Sequence, residues 1–174
     1  MSRFNKVFKR YRHFITNQKH LPFYDMFKEP GKIYTKKIYG NELIYNSLKK
    51  NNVSHAFIYS GGSIMPIIDK LYKSEILYTI NSHEQNCGHA ATGFAKTSSK
   101  RCIVLVTSGP GFTNTITPLL DANNDSTPLV IISGQVSKSA IGTNAFQEAP
   151  SVELSKNVTK WSYQISNIEE IPYI

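Results

Sequence analysis

CIVLVTSGPGFTN, Cys102 to Asn114, decides the fold. Its first six residues, Cys102 to Thr107, form an unbroken apolar run rather than an alternating one. Such a run reads as a strand buried on both faces, the pattern of a parallel sheet covered by helices. Ser108-Gly-Pro-Gly111 then turns the chain into a helix predicted to reach about Asn123. Glycines in that turn let backbone come close to a ligand. The turn resembles a dinucleotide fingerprint only superficially. Asn114 stands where GxGxxG needs its third glycine, and no suitable acid ends the next strand.

Outward from this stretch the apolar period switches repeatedly. Asn41 to Lys50 is a short amphipathic helix, and Ala56 to Tyr59 a strand stopped by Gly61-Gly62. Ile64 to Tyr72 reads as a helix with Ile64, Ile67, Ile68 and Leu71 inward, Pro66 being tolerable in its first turn. Ile76 to Ile80 is a second strand, Glu84 to Thr97 a helix rich in small residues, and Leu129 to Ile132 a fourth strand. Strands alternating with helices predict an α/β fold, a three-layer doubly wound parallel sheet. Ligands of such sheets sit at the carboxyl ends of the strands. Four segments fall there: Ser60-Gly61-Gly62, His83-Glu84, Ser108 to Gly111, and Gly134-Gln135.

Glu84 is the candidate catalytic group. An acid in a first helical turn is favoured by the helix dipole alone, so position by itself says little. Its company says more. Gly88, Ala90, Ala91, Gly93 and Ala95 make the following helix thin, which permits a neighbour to pack close and bury the carboxylate, as acid/base work requires. His83, Cys87 and His89 do not share one helical face, so no metal site is expected. Cys87 and Cys102 are too few for a disulfide framework.

The formal net charge of +8 is confined to one end. Residues 1–40 carry ten Lys and Arg against two Asp and Glu, while residues 41–174 carry ten of each. Residues 1–39 therefore read as a basic arm and linker, and residues 40–174 as the folded domain. Phe4, Val7, Phe8, Tyr11, Phe14 and Ile15 recur at helical spacing among basic residues, with no acid before Asp25. That is the character of a transit peptide to mitochondrion or plastid; a plain basic tail would leave the protein in the cytoplasm. The balanced domain argues against nucleic acid, and no apolar run approaches the roughly 20 residues of a membrane span.

Several segments together resemble the pyrimidine-binding domain of thiamine-diphosphate enzymes, specifically the acetolactate synthase catalytic subunit. They are IYSGGSIMPIIDKL (Ile58–Leu71), SHEQ (Ser82–Gln85), VLVTSGPGFTN (Val104–Asn114), SGQV (Ser133–Val136) and IGTNAFQEA (Ile141–Ala149). The last is the narrowest, close to the family's IGTDAFQE. The resemblance implies that Glu84 hydrogen-bonds N1′ of the aminopyrimidine, stabilising the tautomer whose 4′-nitrogen acts as base. It implies a cofactor site at Ser60, Gly61, Gly62, Thr107, Pro110, Gly111 and Asn114, with Ser126 near a flavin and Phe146 and Gln147 beside the substrate. The family reaction decarboxylates pyruvate and joins the product to a second 2-ketoacid, in branched-chain amino acid biosynthesis.

Departures accompany the likeness. Ser60 stands where the family has proline, Asn144 where it has aspartate, and Thr92 where it has glutamate. Asn86 and Cys87 add volume beside Glu84, the change expected to disturb it most. No GDG occurs in these 174 residues, and the expectation is that the family's FAD-contacting domain and its GDG…N domain for Mg2+ and diphosphate have no counterpart here. The expectation is a chain inactive alone, working with another synthase subunit or complementary chain in a homo- or hetero-oligomer. The alternative is a non-catalytic remnant that binds synthase subunits.

Overall fold

In the computed structural model β3 (Arg101–Val106) lies inside a four-stranded parallel sheet of order β2-β1-β3-β4. The structure describes residues 38–72 and 74–174; the proposed targeting arm lies almost wholly outside them. The continuous apolar run is buried on both sides because its side chains alternate between two cores. Ile103 and Leu105 join Ala56 and Ile58 of β1 (Val53–Ile58) on one face. Val104 and Val106 join Phe57 on the other.

Helices cover both faces. On the first, Leu48 of α1 (Gly40–Lys50) and Leu71 of α2 (Met65–Leu71) pack with Ile64 and Ile76 over the strands. On the second, Cys87 and Ala91 of α3 (Glu84–Thr97) do so. The buried positions of α3 are Glu84, Cys87, Gly88, Ala91 and Thr92, spaced to share one helical side. Gly88 lets α3 meet α5 (Ile116–Asn124) closely, since a Cβ there would lie 2.4 Å from Pro118 Cγ. The connection from β2 (Leu77–Ile80) through α3 returns past β1 to β3, so the winding reverses between β1 and β3.

Two expectations change. The helix predicted from the Gly111 turn to Asn123 is two helices, α4 (Pro110–Thr113) and α5, parted at Asn114–Thr115. Pro118 explains the break: proline lacks an N–H and its ring crowds the carbonyl four residues back, here that of Asn114. The buried Thr115 hydroxyl instead donates to the Phe112 carbonyl at 2.6 Å. The second change concerns β2, which was expected within a covered sheet. Among the described residues it pairs only with β1, and all four of its residues are exposed, Leu77 and Ile80 each at 67%. Beyond β4 (Ile131–Ser133) the chain is irregular except for α6 (Ser151–Ser155) and two 3-10 turns, the second of which, Ile168–Tyr173, packs on α1.

Candidate functional site at the carboxyl rim of the sheet

The reversal between β1 and β3 opens a crevice at their carboxyl ends, where one chain leaves toward α2 and the other toward α4. Ser63 holds the two sides together. Its hydroxyl lies 2.9 Å from Thr107 Oγ1, donates to Ser108 Oγ at 3.3 Å and accepts from the Ser108 N–H at 3.0 Å. Thr107 in turn sits between two glycines. A Cβ on Gly61 would lie 2.4 Å from Thr107 Cβ, and one on Gly111 2.7 Å from Thr107 Cγ2. Ser133, at the end of β4, donates to the Thr107 carbonyl at 3.1 Å. Three strand ends thus meet on one buried threonine.

Glu84 faces the same crevice from the start of α3. His83 caps that helix, its Nδ1 accepting from the Gln85 N–H at 3.1 Å. Glu84 is 6% exposed. Asn114 donates from Nδ2 to Glu84 Oε2 at 3.0 Å. Among the described residues no hydrogen bond reaches Oε1, and a Cβ on Gly111 would lie 3.5 Å from it. The break forced by Pro118 is therefore useful: it leaves Asn114 at the joint between two helices, beside the carboxylate. The arrangement has one acceptor oxygen tied and one open, on a largely buried carboxylate. Chemically it suits a ligand N–H, which the open carboxylate oxygen can accept.

Other expected positions scatter. Ser60, Gly62 and Pro110 lie exposed at the rim, and nothing approaches within 4 Å of the Cβ direction of Gly62. Phe146 is 89% exposed. Gln147 packs its backbone on Gly109, where φ is +57° and a Cβ would come within 2.6 Å of the Gln147 carbonyl oxygen. Ser126 is not brought to this rim. It lies past the far end of α5, before the amino-terminal end of β4, in an exposed left-handed turn with φ of 52°.

The residues that depart from the family pattern also find places. Asn86 is exposed and adds no bulk against Glu84, contrary to the expectation, whereas Cys87 is fully buried in the second core. Burial, reinforced by the Glu84 charge, pushes the Cys87 thiol up to about 11. Asn144 has φ of 58°, a conformation that Asn and Asp both tolerate, so aspartate is not required there. Buried Thr92 satisfies itself by donating to the His89 carbonyl at 2.8 Å. Among the described residues no three His, Cys, Asp or Glu side chains gather as a metal site, and no helix is long and apolar enough to cross a membrane. Sequence reasoning missed Ser63 as the hub. The available signal was a serine directly after a strand-ending Gly-Gly pair.

Comparison with known proteins agrees with this architecture. Residues 38–154 match the family model described as thiamine pyrophosphate enzyme, N-terminal TPP binding domain. The chain is 46% identical over 134 residues to a mitochondrial acetolactate synthase of Schizosaccharomyces pombe, covering 76% of this chain and 20% of that protein. It is 44% identical over 134 residues to the mitochondrial acetolactate synthase catalytic subunit of Saccharomyces cerevisiae, with the same coverage. It is 43% identical over 135 residues to the acetolactate synthase isozyme 2 large subunit of Escherichia coli, covering 78% of this chain and 25% of that protein. The aligned part thus spans a fifth to a quarter of these relatives.

Proposed function

The chain belongs to the thiamine pyrophosphate enzymes as an N-terminal TPP binding domain of acetolactate synthase type, and from that premise we propose that it supplies the pyrimidine-holding half of a synthase site. One observation carries the reading: buried Glu84 has Oε2 tied by Asn114 and Oε1 open beside Gly111. That geometry fits an aminopyrimidine N1′–H as the missing donor. Thiamine diphosphate, when bound, supplies an electron sink for decarboxylating a 2-ketoacid and joining the remainder to a second one.

In this reading the protein's own residues bind and orient. Glu84 would hold the pyrimidine nitrogen, while Asn114 fixes the carboxylate's rotation. Gly61, Gly111 and Thr107 form the wall against which a flat ring can rest, with Ser60, Gly62 and Pro110 at its exposed margin. Phe146 and Gln147 face the 2-ketoacid. Mg2+ and the diphosphate belong to a complementary region of synthase, which completes the pocket from the other side. FAD belongs to that complete assembly too, with Ser126 as its contact. The basic, acid-poor arm and the mitochondrial relatives support organellar targeting of residues 1–39.

The test supplies the chain with the remaining four-fifths of the S. pombe synthase and measures thiamine-diphosphate binding and acetolactate formation. We expect turnover only when both pieces are present, and its loss in Glu84→Gln. Assembly without turnover would favour a non-catalytic module that binds synthase subunits. Robust acetolactate formation by the chain alone would sink the half-site reading.

A further inference from the structure

Residues 142–148 hold Gln147 in a backbone shape its side chain does not favour. Asn144 and Gln147 both have positive φ, 58° and 59°, within four residues. Asn enters that region readily, whereas Gln does so uncommonly, so at Gln147 the surroundings must impose it. Phe146 stands between them, almost fully exposed, so no burial of its ring supplies the constraint.

The constraint comes from two sides. Glu148 folds back on the segment, its Oε1 accepting from the Gly142 N–H and its Oε2 from the Ala145 N–H at 3.0 Å. The Glu148 N–H in turn donates to the Ala145 carbonyl at 2.9 Å. Backbone N–H groups from Gly142 to Ala145 surround the carboxylate and hold it below the usual glutamate range. On the opposite side the Gln147 backbone rests on Gly109, at the carboxyl end of β3, where no side chain would fit. Gly109 joins directly to the Ser108 and Thr107 wall of the crevice.

We propose that Glu148 is a positioning residue: its carboxylate gathers the Gly142 and Ala145 amides and so sets Gln147 against Gly109 and fixes the backbone that carries Phe146, both facing a small 2-ketoacid. The inference rests on the synthase reading for the identity of that ligand, though not for the loop geometry. Glu148 itself touches no ligand. A carboxyl held low keeps the loop gathered at neutral pH and above the usual glutamate range. It releases the loop only as the pH falls below that range.

Two readouts test this on the full chain. In amide hydrogen exchange at neutral pH, Glu148→Gln should speed exchange at Gly142 and Ala145 about tenfold, because one charged acceptor is lost. Amides of Ile103 to Val106 should be unaffected. Equal exchange at Gly142 and Ala145 in both proteins overturns the proposal. In the assembly with the remaining S. pombe synthase, the same variant should raise the pyruvate KM about tenfold. Its thiamine-diphosphate half-saturation should stay within about twofold of the parent's, since Glu84 and Asn114 are untouched. Faster exchange with an unchanged KM overturns the positioning role. If even the unaltered assembly is inactive, the synthase reading fails instead, and the exchange result still decides whether Glu148 holds the loop. Should Glu148→Gln not fold, Glu148→Asp keeps the charge one methylene further back and carries the same measurements.

Discussion

The two faces of the sheet use the same strands and different side-chain sizes. Toward α1 and α2 the strands present Ile58, Ile103 and Leu105 to Leu48, Ile64, Leu71 and Ile76. Toward α3 they present Phe57, Val104 and Val106 to Cys87 and Ala91, with Gly88 pressed on Pro118. Large aliphatic side chains contribute most burial per residue, so the first face is the stabilising one. Small residues bring backbones together, and on the second face that closeness puts Glu84 beside Asn114 and Gly111. The candidate carboxylate sits over the slim face, where the start of α3 meets the loop that carries Gly111 and Asn114.

The bulky face should yield the largest loss. Leu105 is fully buried, and Leu105→Ala is expected to cost about 2–5 kcal/mol in urea denaturation. Resonances around Glu84 should stay in place, because the cavity opens on the far side of the sheet. A loss under about 1 kcal/mol would mean the two faces share the load.

Gly88→Ala probes the slim face. Alanine gains about 1 kcal/mol of helix preference over glycine. Against that, the added methyl meets the Pro118 ring, and overpacking costs about 1–3 kcal/mol. We expect a net loss of up to about 2 kcal/mol, accompanied by weakening of the Asn114–Glu84 hydrogen bond as α5 is pushed away. A variant as stable as the parent would show that this face has room to spare.

A smaller, pH-dependent effect belongs to Cys87. Its thiol is raised from 9.0 to about 11, so the folded state holds its proton more tightly than the unfolded state. The associated stability is complete below about pH 9 and drains away as the pH climbs toward 11. The urea midpoint should therefore fall across that window, and Cys87→Ala should flatten this part of the profile. The thiol should also resist a disulfide-exchange probe at pH 8 until denaturant is added.

Much of the fold was legible because its signals are local. The run from Cys102 marked a strand covered on both faces, and the small residues after Glu84 marked α3, whose limits coincide with the predicted ones. Pro118 was equally legible in principle. Its effect falls four residues upstream, where the pattern of apolar residues continues undisturbed, so one helix was expected in place of two. The exposure of β2 left no mark in its sequence, since an edge strand and an inner one can both read as Leu-Tyr-Thr-Ile. Ser126, expected near a flavin by resemblance, is carried by α5 past the end of the sheet opposite the rim, a placement its sequence neighbourhood does not show.

By itself the sequence determined the order of elements, the parallel winding, and which segments end at the carboxyl rim. Those follow from periodicity, chain direction and the stiffness of βαβ connections, all properties of neighbouring residues. Only the tertiary structure decided that Asn114 meets Glu84 across thirty positions, that Ser63 ties β1 to β3, and that Glu148 shapes the loop carrying Phe146. Each depends on which oxygen faces which donor once the backbones have closed, and that geometry is set by packing between segments distant in the chain.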